Sequence, residues 1–266
     1  MPGRAAADAH TTERGTPSNR SLERGIEILR AFRPGSELLG NGELAERTGL
    51  PKSTVSRLTQ TLVAVGMLQP ETARRAYRLA PAVLSLAHAM RTGSRVLAVA
   101  APLMRTLAER ERLNVGLAAP DRDEMVYLES IRYSRRTALR NVVSGQRVPI
   151  ELTSLGRAYL AVAPERERED LMRVFRRRRV GQWSALKSEI DDAMDCVRHR
   201  GYCAASWQPE VVAIAAPLQM KEALYVLNVS LSTADDCEAV ADRLAPKLLA
   251  LRGEVLVGLD RLAVEH

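Results

Sequence analysis

The chain has 266 residues, with 39 Lys and Arg against 32 Asp and Glu, a formal net charge of +7 and a pI near 9.7. That length allows two domains, each with its own core. Three widely spaced cysteines, Cys196, Cys203 and Cys237, exclude a disulfide framework. No apolar run reaches the roughly 18 residues that a membrane span needs, and the first twenty residues lack the apolar stretch of a secretory signal. A soluble cytoplasmic protein with no membrane partner is expected.

Charge is unevenly distributed. Residues 1–95 hold 14 Lys and Arg against 8 Asp and Glu, a net of +6, while the other 171 residues hold 25 against 24 and are nearly neutral. A polyanion partner is favoured for the first third; a solvated basic surface is the plain alternative.

In chain order, residues 1–18 are rich in Ala, Thr, Gly and charge with no apolar period, and are expected to be a disordered tail. Leu22, Ile26, Leu29 and Phe32 recur at helical spacing and predict one inward face, ended by Pro34-Gly35. Residues 42–48 and 52–64 give two more helices. The segment GMLQPETARRAYRLA predicts two short strands around a basic hairpin. A helix follows Pro81, and residues 91–95 form a linker before a helix near 96–112, in which Pro102 belongs close to a turn or kink. Residues 114–120, 124–131 and 136–143 predict strands. Residues 154–162, 165–176 and 184–199 predict helices, the last ended by Gly201. Residues 211–218 and 223–232 suit buried strands, and a helix spans about 235–262. Strands joined by short turns and interleaved with helices make the second domain α+β, with a mainly antiparallel sheet.

The stretch NGELAERTGLPKSTVSRLTQ (41–60) fits a helix-turn-helix. Leu44, Leu50, Val55 and Leu58 fall inward, Ala45 sits where the two helices touch, and Gly49 suits the turn, where a positive φ is convenient. The second helix then presents Lys52, Ser53, Thr54, Ser56, Arg57 and Gln60 to a DNA major groove. Arg57 can grip guanine O6 and N7, and Gln60 can pair with adenine. Arg74 and Arg75 on the hairpin, with Arg20 and Arg24 on the first helix, are expected at the phosphate backbone.

These residues carry a resemblance. SLERGIEILRAF and LAERTGLPKSTVSRLTQTLVAVGMLQPETARRAYRLAPAVLSLAHAM resemble the winged helix-turn-helix of the IclR family of bacterial transcriptional regulators. GQRVPIELTSLGRAYLA, RHRGYCAASWQPEVVAIAAPL and ALYVLNVSLS are similar to the family's downstream motifs, so the likeness spans about residues 20–262. The resemblance implies a winged helix-turn-helix DNA-binding domain at 19–80, a helical linker at 81–97, and a GAF-like domain for effector binding and oligomerisation at 98–266. It implies homodimers or dimers of dimers, a double-stranded operator and a small-molecule effector. Ser154, Ala213, Asn228 and Ser230 match the family's effector positions. Cys203 and Trp207 lie in a segment, 201–215, that departs from the family pattern and looks like an altered loop beside the pocket. A lining of Ser, Asn and backbone amides suits a small organic acid, and some similar members govern aromatic-acid catabolism.

No catalytic residue, metal or cofactor is expected. Asp195, His199 and Cys203 are close in sequence but lack a nucleophile's geometry, and His10, His88, His199 and His266 are scattered. Arg173 and Arg176–Arg179 read as a solvated helix end or a second nucleic-acid patch. The function expected is a ligand-responsive repressor or activator of a catabolic operon. Two rivals stay open: a constitutive DNA-binding protein whose larger half only dimerises, and an enzyme with a DNA-binding appendage.

Overall fold

The computed structural model describes residues 19–133, 142–208, 210–221 and 223–264. The expected tail at 1–18, and residues 136–141 of an expected strand, lie outside them. Tertiary contacts divide the chain into two compact units: residues up to Val83 without Arg33–Gly35, and those three with Leu84 onward.

In the first unit, the Asn19 side chain caps helix α1 (Arg20–Arg30) by accepting from the N–H groups of Ser21 and Leu22, both at 3.1 Å. Strand β1 (Leu39–Gly40) leads into α2 (Asn41–Thr48). Gly49, left-handed at φ 69°, turns the chain before α3 (Lys52–Ala64). Strands β2 (Leu68–Glu71) and β3 (Ala76–Leu79) form the hairpin, and β1 joins them in an antiparallel sheet of order β1-β3-β2. Ile28, Phe32, Leu39, Leu44, Val55 and Leu68 make the core.

The inward face of α1 differs from expectation. Gly25 and Ile28 are buried, whereas Leu22 and Ile26 are 62% and 44% exposed. The period of the apolar residues is right, but the helix carries a second apolar stripe that the described residues do not cover. Strand β1 has only two residues, too few for a sequence signal.

Helix α4 (Ala82–Thr92) has no buried residue. It runs through Arg91 and Thr92, so the expected 91–95 linker shrinks to Gly93 and Ser94. The Ser94 hydroxyl then caps α5 (Arg95–Glu111). α5 continues through Pro102, which lies inside the helix and not at a turn.

Strands β4 (Asn114–Asp121), β5 (Glu124–Ile131) and β6 (Arg147–Pro149) follow. Then come helices α6 (Ser154–Val162), α7 (Glu165–Arg178) and α8 (Trp183–Arg200), ended by left-handed Gly201. Strands β7 (Cys203–Gln208), β8 (Val211–Gln219) and β9 (Leu224–Ser232) precede α9 (Cys237–Val264). The six strands form one antiparallel sheet, β6-β5-β4-β9-β8-β7. Residues 203–208 are therefore an edge strand and not an altered loop; CAASWQ has no β-branched residue to announce it.

Both faces of the sheet are covered, which is why β8 and β9 read as nearly unbroken apolar runs. Val115, Leu117, Ile214, Leu227 and Val229 pack with α5 and α9. Met125, Tyr127, Ala215 and Val226 pack with α6, α7 and α8. The architecture is an N-terminal winged helix-turn-helix followed by an α+β domain.

Candidate functional site

The helix-turn-helix is held from within by buried Leu44 and Val55, with Leu50 and Leu58 half-buried. Thr59, which sequence reasoning passed over, is fully buried on α3. Its hydroxyl donates to Ser56 O at 3.0 Å and lies 3.4 Å from Asn41 Oδ1, tying α3 to the start of α2. Arg47 was also missed: it donates to Ala31 O at 3.0 Å and Ser36 Oγ at 3.1 Å, fastening α2 to the end of α1. On the outer side of α3, Lys52, Ser53, Arg57 and Gln60 are exposed and Thr54 and Ser56 half-exposed. The residue before α3 is Pro51, which offers no side-chain cap to the first amides of that helix.

Cations in this unit sort into two sets. Arg47 is engaged as above, and Arg78 pairs with Glu71. The side chains of Lys52 and Arg57 on α3, Arg74 and Arg75 at the hairpin tip, and Arg20 and Arg24 on α1 make no hydrogen bond or ion pair among the described residues. Arg75 holds a left-handed φ of 49°, which turns the tip. A surface that leaves its α3 and hairpin cations unneutralised attracts a polyanion.

In the second unit, strand pairing gathers the residues assigned by resemblance. Cross-strand partners share a face. Cys203, Ala215, Asn228 and Gly116 form one row across the sheet, and Ala205, Ala213, Ser230 and Asn114 the next. That face lies under α6, whose first residue, Ser154, is buried and accepts a hydrogen bond from Cys203 Sγ at 3.4 Å through its carbonyl. Trp207 packs at the margin of the same cluster. All six positions thus share one side of the sheet.

Asn228 is 5% exposed. Its Nδ2 donates to Tyr127 Oη at 3.5 Å, while Oδ1 has no partner among the described residues. A buried acceptor left so is costly unless a ligand or water serves it. Burial pushes the Tyr127 hydroxyl up to about 12, and it stays protonated. Burial likewise drives the Cys203 thiol to about 12, which removes it as a nucleophile. His199 does not approach it as a base: its Nδ1 lies 2.8 Å from the Asp195 carbonyl on its own helix.

Gly156 sets the entry to α6. A Cβ there would lie 2.1 Å from Ile150 O, so the loop 150–153 folds directly against the helix's first turn. Fully buried Glu151 anchors that loop, with Oε1 3.1 Å from an Arg179 nitrogen and 3.6 Å from one of Arg178, which also pairs with Asp123. Arg157 donates to Glu151 O at 3.1 Å and to Glu189 at 2.6 Å. Two of the clustered arginines therefore serve an internal carboxylate, contrary to both readings of that cluster as wholly solvent-facing. Tyr127, Gly116, Glu151 and Arg157 were invisible to spacing, since their partners are remote in sequence.

A groove of about 730 Å³ lined by Arg122, Asp123, Pro164, Glu167, Leu171 and Val174 touches none of the six gathered positions. Among the described residues, no group of three or more His, Cys, Asp or Glu is placed to hold a metal ion, and no helix is long and apolar enough to cross a membrane.

Known proteins bear on these surfaces. The IclR helix-turn-helix domain profile matches residues 21–72, and that of the bacterial transcriptional regulator IclR C-terminal domain matches 88–254. The HTH-type transcriptional regulator TsaQ1/TsaQ2 of Comamonas testosteroni is 37% identical over 191 residues, covering 71% of this chain and 68% of that protein. The p-hydroxybenzoate hydroxylase transcriptional activator of Acinetobacter baylyi is 23% identical over 240 residues, covering 86% and 84%. The crystal structure of an IclR family transcriptional regulator from Brucella abortus superposes with a TM-score of 0.81 at 34% identity, covering 94% of this chain and 96% of that one. An IclR homolog from Microbacterium hydrocarbonoxydans, solved with 4-hydroxybenzoate, shares the fold with a TM-score of 0.68 at 20% identity, covering 91% and 99%. These relatives are transcriptional regulators and not enzymes. The chain belongs to the IclR family and is a DNA-binding transcriptional regulator of that type.

Proposed function

We propose that this regulator answers a small organic acid, aromatic acids foremost, and controls a catabolic operon in the cytoplasm. Residues 19–80 read the operator, 81–97 link, and 98–266 bind the effector and hold copies together. The observation that carries the DNA side is the set of unpaired cations on α3 and the hairpin tip. Ser53, Thr54, Ser56, Arg57 and Gln60 face base edges; Lys52, Arg74, Arg75, Arg20 and Arg24 meet phosphate.

Exposed apolar residues support the homodimer. Leu22 and Ile26 on α1, and Leu84, Leu86 and Met90 on α4 at 73%, 60% and 52% exposure, want a cover that a second copy supplies. A dimer presents two reading helices to a near-palindromic site, and dimers can pair again.

The effector side rests on the buried, half-satisfied Asn228 beside Ser154, Ala213 and Ser230, with Cys203 and Trp207 at the margin. Two relatives, a p-hydroxybenzoate hydroxylase transcriptional activator and an IclR homolog crystallised with 4-hydroxybenzoate, favour an aromatic acid.

Duplexes selected from a random pool by the purified protein test the DNA half. Arg57→Ala is expected to lose about 1–3 kcal/mol at one base position, and Lys52→Ala to weaken all duplexes alike and lower the salt slope by about 1. Identical losses for both variants at every base would refute this division. Melting with a panel of benzoates and aliphatic acids tests the other half. A hit should raise Tm, shift operator affinity, and fail with Asn228→Leu. No shift with any acid, in a protein that still binds its duplex, would leave the larger domain as an assembly module.

A further inference from the structure

The effector face and helix α4 are joined by a short run of hydrogen bonds along β5. At one end is Asn228, opposite Gly116 on β4. Glycine is required there. A Cβ at 116 would lie 2.4 Å from Asn228 Oδ1 and 2.5 Å from Tyr127 Cε1, so its absence makes the space in which the amide and phenol meet. That meeting is a long hydrogen bond, 3.5 Å, and it leaves Oδ1 unserved. The contact is weak enough to be re-aimed by a ligand that gives Oδ1 a donor.

The Tyr127 backbone grips the loop that precedes β6. Its N–H donates to Gln146 O at 3.0 Å, and its carbonyl accepts from Gly145 N–H at 2.8 Å. Two residues along β5, the Glu129 carboxylate takes the neighbouring residue of that loop, accepting from Ser144 Oγ at 3.1 Å, and also from Ser130 N–H at 3.0 Å. The other Glu129 oxygen accepts from Arg91 at 2.6 Å, and Arg91 donates again to Leu128 O. Arg91 lies in the last turn of α4, a helix with no buried residue. Among the described residues, the side-chain hydrogen bonds reaching from α4 to the sheet are these two.

We propose that Tyr127, Glu129 and Arg91 are positioning residues that carry effector occupancy from Asn228 to α4, the helix within which the chain passes from its first unit to its second. This rests on the effector-site reading above. A ligand donor, such as the hydroxyl of a hydroxy acid, takes Asn228 Oδ1 and turns the amide. Tyr127 follows, the 144–146 loop moves with its backbone, and Glu129 changes its hold on Arg91. The two states are Arg91 engaged and Arg91 released, and the effector biases them.

The test needs no ligand. In the full-length protein, Gly116→Ala places a methyl group where the amide and phenol meet and so displaces both. Amide hydrogen exchange is then followed over α4. Gly116→Ala and Arg91→Ala should each speed exchange there about fivefold or more, and the double variant should be no faster than Arg91→Ala alone. Additive effects in the double variant, or unchanged exchange in Gly116→Ala, would overturn the relay. Should Gly116→Ala not fold, Tyr127→Phe, which removes only the hydroxyl, decides: unchanged α4 exchange refutes the proposal. Affinity for the selected duplex gives a second readout, in which Gly116→Ala shifts Kd severalfold in the wild-type background and under about twofold with Arg91→Ala. A wild-type protein that bound no duplex would sink the regulator reading while leaving the exchange result intact. A relay that worked in a protein binding no small acid would instead sink the effector reading.

Discussion

Glu129 shows how a half-buried carboxylate acquires a pH signature. Burial alone would raise its pKa, but the Arg91 guanidinium, the Ser130 N–H and the Ser144 hydroxyl together outweigh it, and the group titrates below its ordinary value. A carboxylate depressed in the folded state stabilises the fold above its unfolded pKa, and that contribution is lost as pH falls through the folded value. Glu129→Gln should therefore lower the urea midpoint near neutral pH, and its deficit relative to wild type should close below about pH 4. A deficit that persists unchanged in acid would mean the side chain matters by shape and not by charge. None of this was legible in the sequence. Glu129 and Arg91 are 38 residues apart, and Asn228 and Tyr127 are 101 apart. Spacing rules describe neighbours on one helix or strand, whereas sheet register makes the second pair and the packing of α4 on β5 makes the first.

Elements differ in how openly the sequence declares them. The pair α2 and α3 was readable almost to the residue, because a left-handed Gly49, a proline before the second helix and inward Leu44 and Val55 all follow from local geometry. Strand β7 was not, since Ala, Cys and Ser carry little strand preference. The inward stripe of α1 was misjudged because two apolar stripes compete on one helix, and periodicity does not say which faces its own chain. The entry to α6 allows a prediction at this scale. Gly156→Ala would drive a methyl group into the Ile150 backbone, which no rotamer change can relieve, at a cost of about 3 kcal/mol or more. Denaturant melts should show that loss, whereas Gly181→Ala, with open space around it, should stay within about 0.5 kcal/mol. Equal effects at the two positions would mean that the loop yields.

For the whole molecule, charge and hydrophobicity divide the labour. The basic excess lies in the first third, and the nearly neutral remainder builds a sheet covered on both faces. The charge division was visible from composition, and the α+β character of the larger unit from the order of its predicted strands and helices. The uncovered side of α4 was not, because burial of a helix depends on what comes to lie against it. If a second copy covers Leu84, Leu86 and Met90, the melting temperature should rise with protein concentration, and Leu84→Glu should abolish that dependence. A Tm independent of concentration over about a hundredfold range would argue for another cover. A bare α4 also bears on gene dosage. Where unpaired chains predominate, the number of pairs follows the square of the number of chains. Halving synthesis would then cut the pairs able to sit on an operator about fourfold, so that transcriptional output would respond more steeply than the supply of the regulator itself.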